Sequence, residues 1–186
     1  MAYFPAFIKL DEKKVLIVGG GKIAQEKLEK LLDFTSAISL ISLDFSPSIM
    51  SLIQKHNLHF EKSAYEKGRL EDYAIVIVAV DAISLQEEIF KESKNHNCLC
   101  NAVDSVAFCD FIFPSYIKED DLTIAISTSG SSPAVAKHLK KYFKTLIPSG
   151  ISFFLKEMKI LRQTFPKGKE RMKMLDTKAK EYFKTL

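Results

Sequence analysis

Seven consecutive apolar residues, Ala74–Val80 (AIVIVAV), lie between Glu71-Asp72 and Asp81. A run of this kind, rich in β-branched residues and without alternation, has no face to turn toward water. It predicts a strand buried on both sides, which is the situation of a parallel sheet covered by crossover helices. Lys14–Val18 (KVLIV) repeats the pattern, and Ala37–Ser42 and Cys98–Val103 supply two further strands, with a short one at Leu58–Phe60. Helical segments separate them. Lys22–Phe34 places Ile23, Leu28, Leu31 and Leu32 at helical spacing, and a polar helix is expected over about Ser84–His96. Ser46-Pro47 reads as an N-cap with proline at the first helical position, opening a helix to about His56. Strand–helix alternation with right-handed crossovers gives an α/β class, a Rossmann-like doubly wound parallel sheet.

After Pro114 the pattern changes. Leu122–Ser127 reads as a strand, Thr128–Ser132 as a Ser/Gly turn, and Pro133 begins a helix through about Leu146. Pro148 and Gly150 punctuate it, and two helices with a break near Pro166-Lys167-Gly168 complete the chain. The expected organisation is a sheet domain over residues 1–113, a small region over 114–148 and a C-terminal basic helical region over 149–186. Apolar residues such as Phe153, Phe154, Met158 and Leu161 fall on one side of these last helices, which must pack on the body or on a second subunit.

Charge follows the same division. Of 27 Lys+Arg and 23 Asp+Glu, residues 137–186 hold 14 and 4. The tail suits an anionic partner, or else a solvated helix face. No recognition-helix or winged-helix pattern is present, so nucleic acid is not expected. No run approaches the roughly 20 apolar residues of a membrane span. Met1–Leu10 has neither a basic n-region nor a cleavage site, so a cytoplasmic chain with no membrane partner is expected. Cys98, Cys100 and Cys109 read as reduced, buried thiols; without a Cys-x-x-Cys pair they make a poor metal site, and no metal ligands are assigned.

Gly19-Gly20-Gly21-Lys22-Ile23-Ala24 has the spacing G-x-G-x-x-A between a buried strand and a helix. Gly19 permits the tight turn, Gly21 lets the backbone approach a pyrophosphate, and Ala24 lets the helix sit close to the strand. The helix N-terminus then offers N–H groups to the phosphates. A structural turn in a nucleotide-free domain would use the same glycines. Asp44 stands 23 residues after Gly21, where a carboxylate accepts from the adenine ribose hydroxyls, which favours NAD over NADP; it also suits a turn ahead of Phe45-Ser46-Pro47. Val80 ends its strand at the cofactor edge and is expected to touch the cofactor through its backbone. Asn101-Ala102-Val103-Asp104 puts a carboxylate at the carboxyl end of another strand, where it can take a proton as hydride leaves a substrate, or simply cap a surface loop. Asn101 is placed to orient that loop or to contact substrate. The Ser127–Pro133 loop, with Thr128 and Ser129, is a candidate anion cradle or a helix cap.

Taken together, these pieces resemble the precorrin-2 dehydrogenase / sirohydrochlorin ferrochelatase family, the N-terminal module of siroheme synthases. The matching features are Phe4-Pro5-Ala6-Phe7, Val15–Gly21 with Ala24 and Lys27, and Cys100-Asn101-Ala102-Val103-Asp104. Phe111-Ile112-Phe113-Pro114-Ser115 and Ser127-Thr128-x-Gly130-x-Ser132-Pro133 complete the set, which spans residues 4–148 in order. The resemblance implies a homodimer whose dimerisation region follows Pro114. It implies NAD-dependent oxidation of precorrin-2 to sirohydrochlorin, with Asp104 as general base. Cofactor contacts would come from Gly19, Gly21, Lys22, Ile23, Leu43, Asp44 and Val80, and substrate contacts from Asn101, Thr128 and Ser129. Many members also insert Fe2+ to give sirohaem, and the eight carboxylates of precorrin-2 would face the basic region. Since the sequence ends at Leu186, methylation of the precursor is expected from a separate protein.

Thr128-Ser129 stands where relatives often carry Ser-Gly, and Val80 where they often carry a small polar residue. Neither difference removes a group the dehydrogenation requires. A member that only dehydrogenates, one that only inserts a metal such as cobalt, and a non-catalytic NAD-sensing or tetrapyrrole-binding module are the competing readings.

Overall fold

The computed structural model describes residues 3–184, which form two units, one from Tyr3 to Ile112 and one from Phe113 onward. Met1, Ala2, Thr185 and Leu186, the outermost residues of the expected 1–113 and 149–186 regions, lie outside the described residues.

The first unit is the expected doubly wound sheet. Strands β1 (Lys14–Val18), β2 (Ile38–Ser42), β3 (His59–Lys62), β4 (Tyr73–Val78) and β5 (Leu99–Ala102) pair in parallel in the order β3-β2-β1-β4-β5. Helices α1 (Lys22–Leu32), α2 (Pro47–His56) and α3 (Ile83–Asn95) make the crossovers. The chain moves from β1 to β2 in one direction and from β4 to β5 in the other. Right-handed crossovers therefore place α1 and α3 on opposite faces. The register aligns Val18 with Ile41 and Val78, and Val78 with Ala102, so these strands end in one row. The order reverses between β1 and β4, which opens a crevice at their carboxyl ends.

The apolar runs bury as their composition requires. Val15, Leu16, Ile17, Val76, Ile77 and Val78 are fully inaccessible or within a few per cent of it. Cys98, Cys100 and Ala102 join Leu16, Val18, Val76, Val78 and Ile89 in one cluster. Burial pushes the Cys98 and Cys100 thiols up to about 12. The outer edge of β5 is closed by the following loop. The Asp110 N–H donates to Cys100 O at 2.8 Å, and the Cys100 N–H donates to the Asp110 carboxylate at 2.8 Å. Lys94 pairs with the same carboxylate. An open strand edge is thereby covered.

In the second unit, β6 (Ser115–Glu119) and β7 (Leu122–Ile126) form an antiparallel hairpin around Asp120-Asp121, with Asp120 at φ +51°. Nothing in the sequence marks β6, because SYIKE carries only two apolar residues and no clear period. α4 (Pro133–Leu146) packs on the hairpin, capped by Ser132 Oγ, which accepts from the Val135 N–H at 3.3 Å. α5 (Ile151–Thr164) and α6 (Lys169–Lys184) pack on each other, with Phe154 and Tyr182 stacked at 4.0 Å and Lys178 paired to Glu157 at 2.7 Å. Among the described residues, no helix is long and apolar enough to cross a membrane.

Candidate active site

The glycine loop sits at the crevice between β1 and β4. Gly19 adopts φ +130°, and a Cβ there would lie 2.3 Å from Ala79 O at the end of β4. Gly20, given no role by the sequence reading, is as tightly held: its Cβ would lie 2.0 Å from Asp44 O. Gly21 differs, because a Cβ there would meet nothing within 4 Å. The first two glycines thus lock the loop against β4 and the β2 end, while the third faces open space that a pyrophosphate can enter. Gly21 is also the N-cap of α1, so no side chain competes for the first-turn N–H groups, and no acidic residue sits in that turn. Those N–H groups and the positive end of the helix dipole suit an anion. Lys22 is exposed beside them.

Asp44 lies two residues beyond β2. Its backbone oxygen accepts from Ser42 Oγ at 2.7 Å, and its carboxylate pairs with Lys62 Nζ at 2.9 Å. Lys62 and the Phe45 N–H hold that carboxyl below the usual range. Leu43, 71% exposed, flanks it as an apolar surface. A loop open at Gly21, an uncapped helix terminus and a carboxylate at the end of β2 together fit a dinucleotide.

Next to the glycine loop, a pocket of about 190 Å³ brings together Ile23 from α1, Ala79 and Val80 after β4, and Val103, Asp104 and Ser105 after β5. Asp104 is exposed at its mouth in a left-handed conformation, φ +61°. That conformation is costly for most residues but tolerated by aspartate, and it aims a carboxylate out of the strand end. Gln86, on the inward stripe of α3 and only 4% exposed, joins the two loops. Its Nε2 donates to Val80 O at 2.7 Å and to Val103 O at 3.3 Å, while its Oε1 accepts from Ser105 Oγ. The sequence signal for Gln86 was a polar residue in the buried stripe with Ile89, Glu92 and Ser93, which went unread. Lys27 lies one turn beyond Ile23. Burial and nearby Lys30 hold its ammonium below the ordinary value, against the pull of Cys109 and Asp104.

Asn101 is 5% exposed, with Nδ2 donating to Phe111 O at 2.8 Å and to Cys109 Sγ at 3.5 Å. It anchors the loop after β5. Its Oδ1 is buried without a hydrogen-bond partner. Thr128 and Ser129 belong to the second unit. There the Ser129, Ser131 and Ser132 N–H groups are satisfied by Ser127 Oγ, Thr128 O and Thr128 Oγ1. Ser129 takes φ +50° and Gly130 φ +86°, so serine stands in a backbone conformation that favours glycine. The loop is preformed, with fewer N–H groups to offer an anion than its sequence suggests.

Residues 6–115 match the sequence model of a family described as putative NAD(P)-binding, and residues 119–144 match one described as sirohaem biosynthesis protein, central. The chain belongs to the NAD(P)-binding family. Among curated proteins it is similar to the siroheme synthase of Pseudoalteromonas translucida, 35% identical over 81% of this chain and 32% of that protein. Siroheme synthase 1 of Serratia proteamaculans is 34% identical over the same shares, and the siroheme synthase of Psychrobacter cryohalolentis is 36% identical over 81% of this chain and 29% of that one. The chain thus spans about a third of the length of these relatives. The expected resemblance to siroheme-synthase modules is borne out. The fold is that of a solved structure titled SirC, precorrin-2 dehydrogenase, with TM-score 0.76, 22% identity, and coverage of 94% of this chain and 88% of that one.

Proposed function

We propose that the chain is an NAD-dependent precorrin-2 dehydrogenase of sirohaem biosynthesis, with Asp104 as its general base. The observation that carries this reading is the pocket shared by Ile23, Val80 and Asp104, which sets a carboxylate next to the glycine loop of an NAD(P)-binding fold. NAD+, when bound, supplies the hydride acceptor. The Gly19–Gly21 loop with Lys22 and Ile23 holds its pyrophosphate side, Leu43 and Asp44 its adenine ribose, and Val80 its nicotinamide end. Asp104 accepts the proton that leaves precorrin-2 with the hydride equivalent, giving sirohydrochlorin and NADH. Gln86 keeps Val80 and the Asp104 loop in register during this step.

At about 190 Å³ the pocket suits a nicotinamide ring, whereas even a drug-sized ligand needs about 300–1,000 Å³. Candidate contacts to other parts of the tetrapyrrole are Thr128, Ser129 and the basic residues after 137, with Asn101 anchoring the loop after β5. The exposed stripe Val135, Tyr142 and Leu146 on α4, with Leu139 half-buried between, supports a homodimer formed through residues 114–148, with 1–113 and 149–186 as its other regions. Fe2+ is a candidate second substrate, inserted into sirohydrochlorin with Asp104 receiving displaced pyrrole protons. We place the protein in the cytoplasm, acting on a small molecule rather than on nucleic acid or membrane.

Asp104→Asn tests the assignment. It is expected to lower precorrin-2 turnover by about 10²–10⁴-fold while the Kd for NAD+ stays within about twofold. Turnover that survives the substitution removes Asp104 from the chemistry. A wild-type chain that binds NAD+ but converts no precorrin-2 is instead a sensing or carrier module.

A further inference from the structure

We propose that Asp44 and Lys62 read the 2′ position of the adenine ribose as a pair, so that the chain accepts a 2′-phosphorylated dinucleotide as well as NAD. This rests on the dinucleotide site proposed above. Asp44 alone would exclude a 2′-phosphate by charge, as a carboxylate at the end of β2 does in NAD-selective sheets. Here it does not stand alone. Lys62 is the last residue of β3, level with Ser42 in the sheet register, and its Nζ lies 2.9 Å from Asp44 Oδ1. Two hydrogen-bond lengths in succession place that ammonium about 5–6 Å from a ribose hydroxyl held by Asp44. A phosphate on that hydroxyl would come within the swing of a flexible four-carbon side chain.

Both side chains stand in solvent, Lys62 64% and Asp44 83% exposed, but the Asp44 backbone is held, its oxygen accepting from Ser42 Oγ and packed against Gly20. Among the described residues Lys62 is paired with that carboxylate alone, so it can turn from Asp44 to a phosphate without disturbing the fold. Arg69, further along the chain, is held by both oxygens of Glu61 at 2.8 and 2.9 Å and is committed elsewhere. The locus is therefore near neutral, and its selectivity depends on the pair.

The test is calorimetric titration of the full chain with NAD+ and NADP+, for wild type, Lys62→Met, Asp44→Ser and the double variant. Lys62→Met is expected to weaken NADP+ by about fivefold to tenfold, as for one screened charge contact, and to leave NAD+ within about twofold. Asp44→Ser is expected to strengthen NADP+ by about tenfold with Lys62 present and to do little in the double variant. The NADP+ affinity should fall more steeply with salt than the NAD+ affinity. Lys62→Met changing both nucleotides equally, or neither, overturns the proposal while leaving the dinucleotide site standing. A chain that binds neither nucleotide overturns the site and the proposal together.

Discussion

The two units spend their apolar residues differently. Among the described residues, 23 hydrophobic side chains are buried between Val15 and Ala102, but only four beyond: Ile117, Ile126, Ala136 and Ile151. In the second unit Val135, Tyr142, Leu146, Phe153 and Ile160 stand exposed instead. A parallel sheet flanked by helices buries its central strands, as β1 and β4 show, and leaves mainly the edge strand β3 exposed. A two-stranded hairpin with amphipathic helices buries less, and it leaves apolar faces exposed. The first unit is built to hold a site still. The second leaves more of its apolar surface exposed.

The largest test of this contrast is core truncation. Ile77→Ala, at a fully buried position of β4, is expected to destabilise by about 2–5 kcal/mol in denaturant unfolding. Leu146→Ser, at an exposed position of α4, should cost within about 0.5 kcal/mol and instead shift the sedimentation profile toward smaller species. Equal destabilisation by the two would erase the distinction between the units.

Alkaline titration should act on the sheet unit through its buried thiols. The Cys98 and Cys100 thiols are pushed from near 9 up to about 12 by burial. Between these values the folded protein retains protons that the unfolded chain has lost. Stability is then whole below about pH 9 and declines toward about pH 12. A Cys98→Ala, Cys100→Ala variant should show a flatter decline, and an unchanged slope would remove these thiols as its cause.

Two smaller effects sharpen the comparison further. Gln86→Leu keeps the volume but loses the donors to Val80 O and Val103 O, and should lower kcat about tenfold with a smaller change in NAD+ affinity. Ser129→Gly relieves a left-handed serine, and its expected gain is about 0.5 kcal/mol in thermal unfolding. A loss at either the substrate or the stability level would mean that the serine side chain itself is needed.

The sheet was legible because burial leaves a direct mark on composition. KVLIV, AIVIVAV and the Ser46-Pro47 helix start each appear within a residue or two of their place. β6 was not, since a short edge strand in a hairpin needs no apolar run. The candidate loop was legible where a backbone demand selects residue type, as at Gly19 with its positive φ. The site was obscure where a side chain acts through contacts distant in sequence. Gln86 reaches Val103 and Ser105, and Lys62 reaches Asp44 across the β2–β3 pairing; neither partnership has a local spacing to announce it. Gly20 was passed over because the loop pattern leaves its position unspecified, although Asp44 O leaves no room there for a Cβ.

Dehydrogenation is read out by anaerobic incubation of the purified chain with enzymatically made precorrin-2 and NAD+, followed by absorbance. Sirohydrochlorin and NADH appearing in equal amounts is the predicted result, and adding Fe2+ to the same cuvette would then read out metal insertion. NAD+ binding with neither product formed would contradict the account and leave a nucleotide-binding module with a different task.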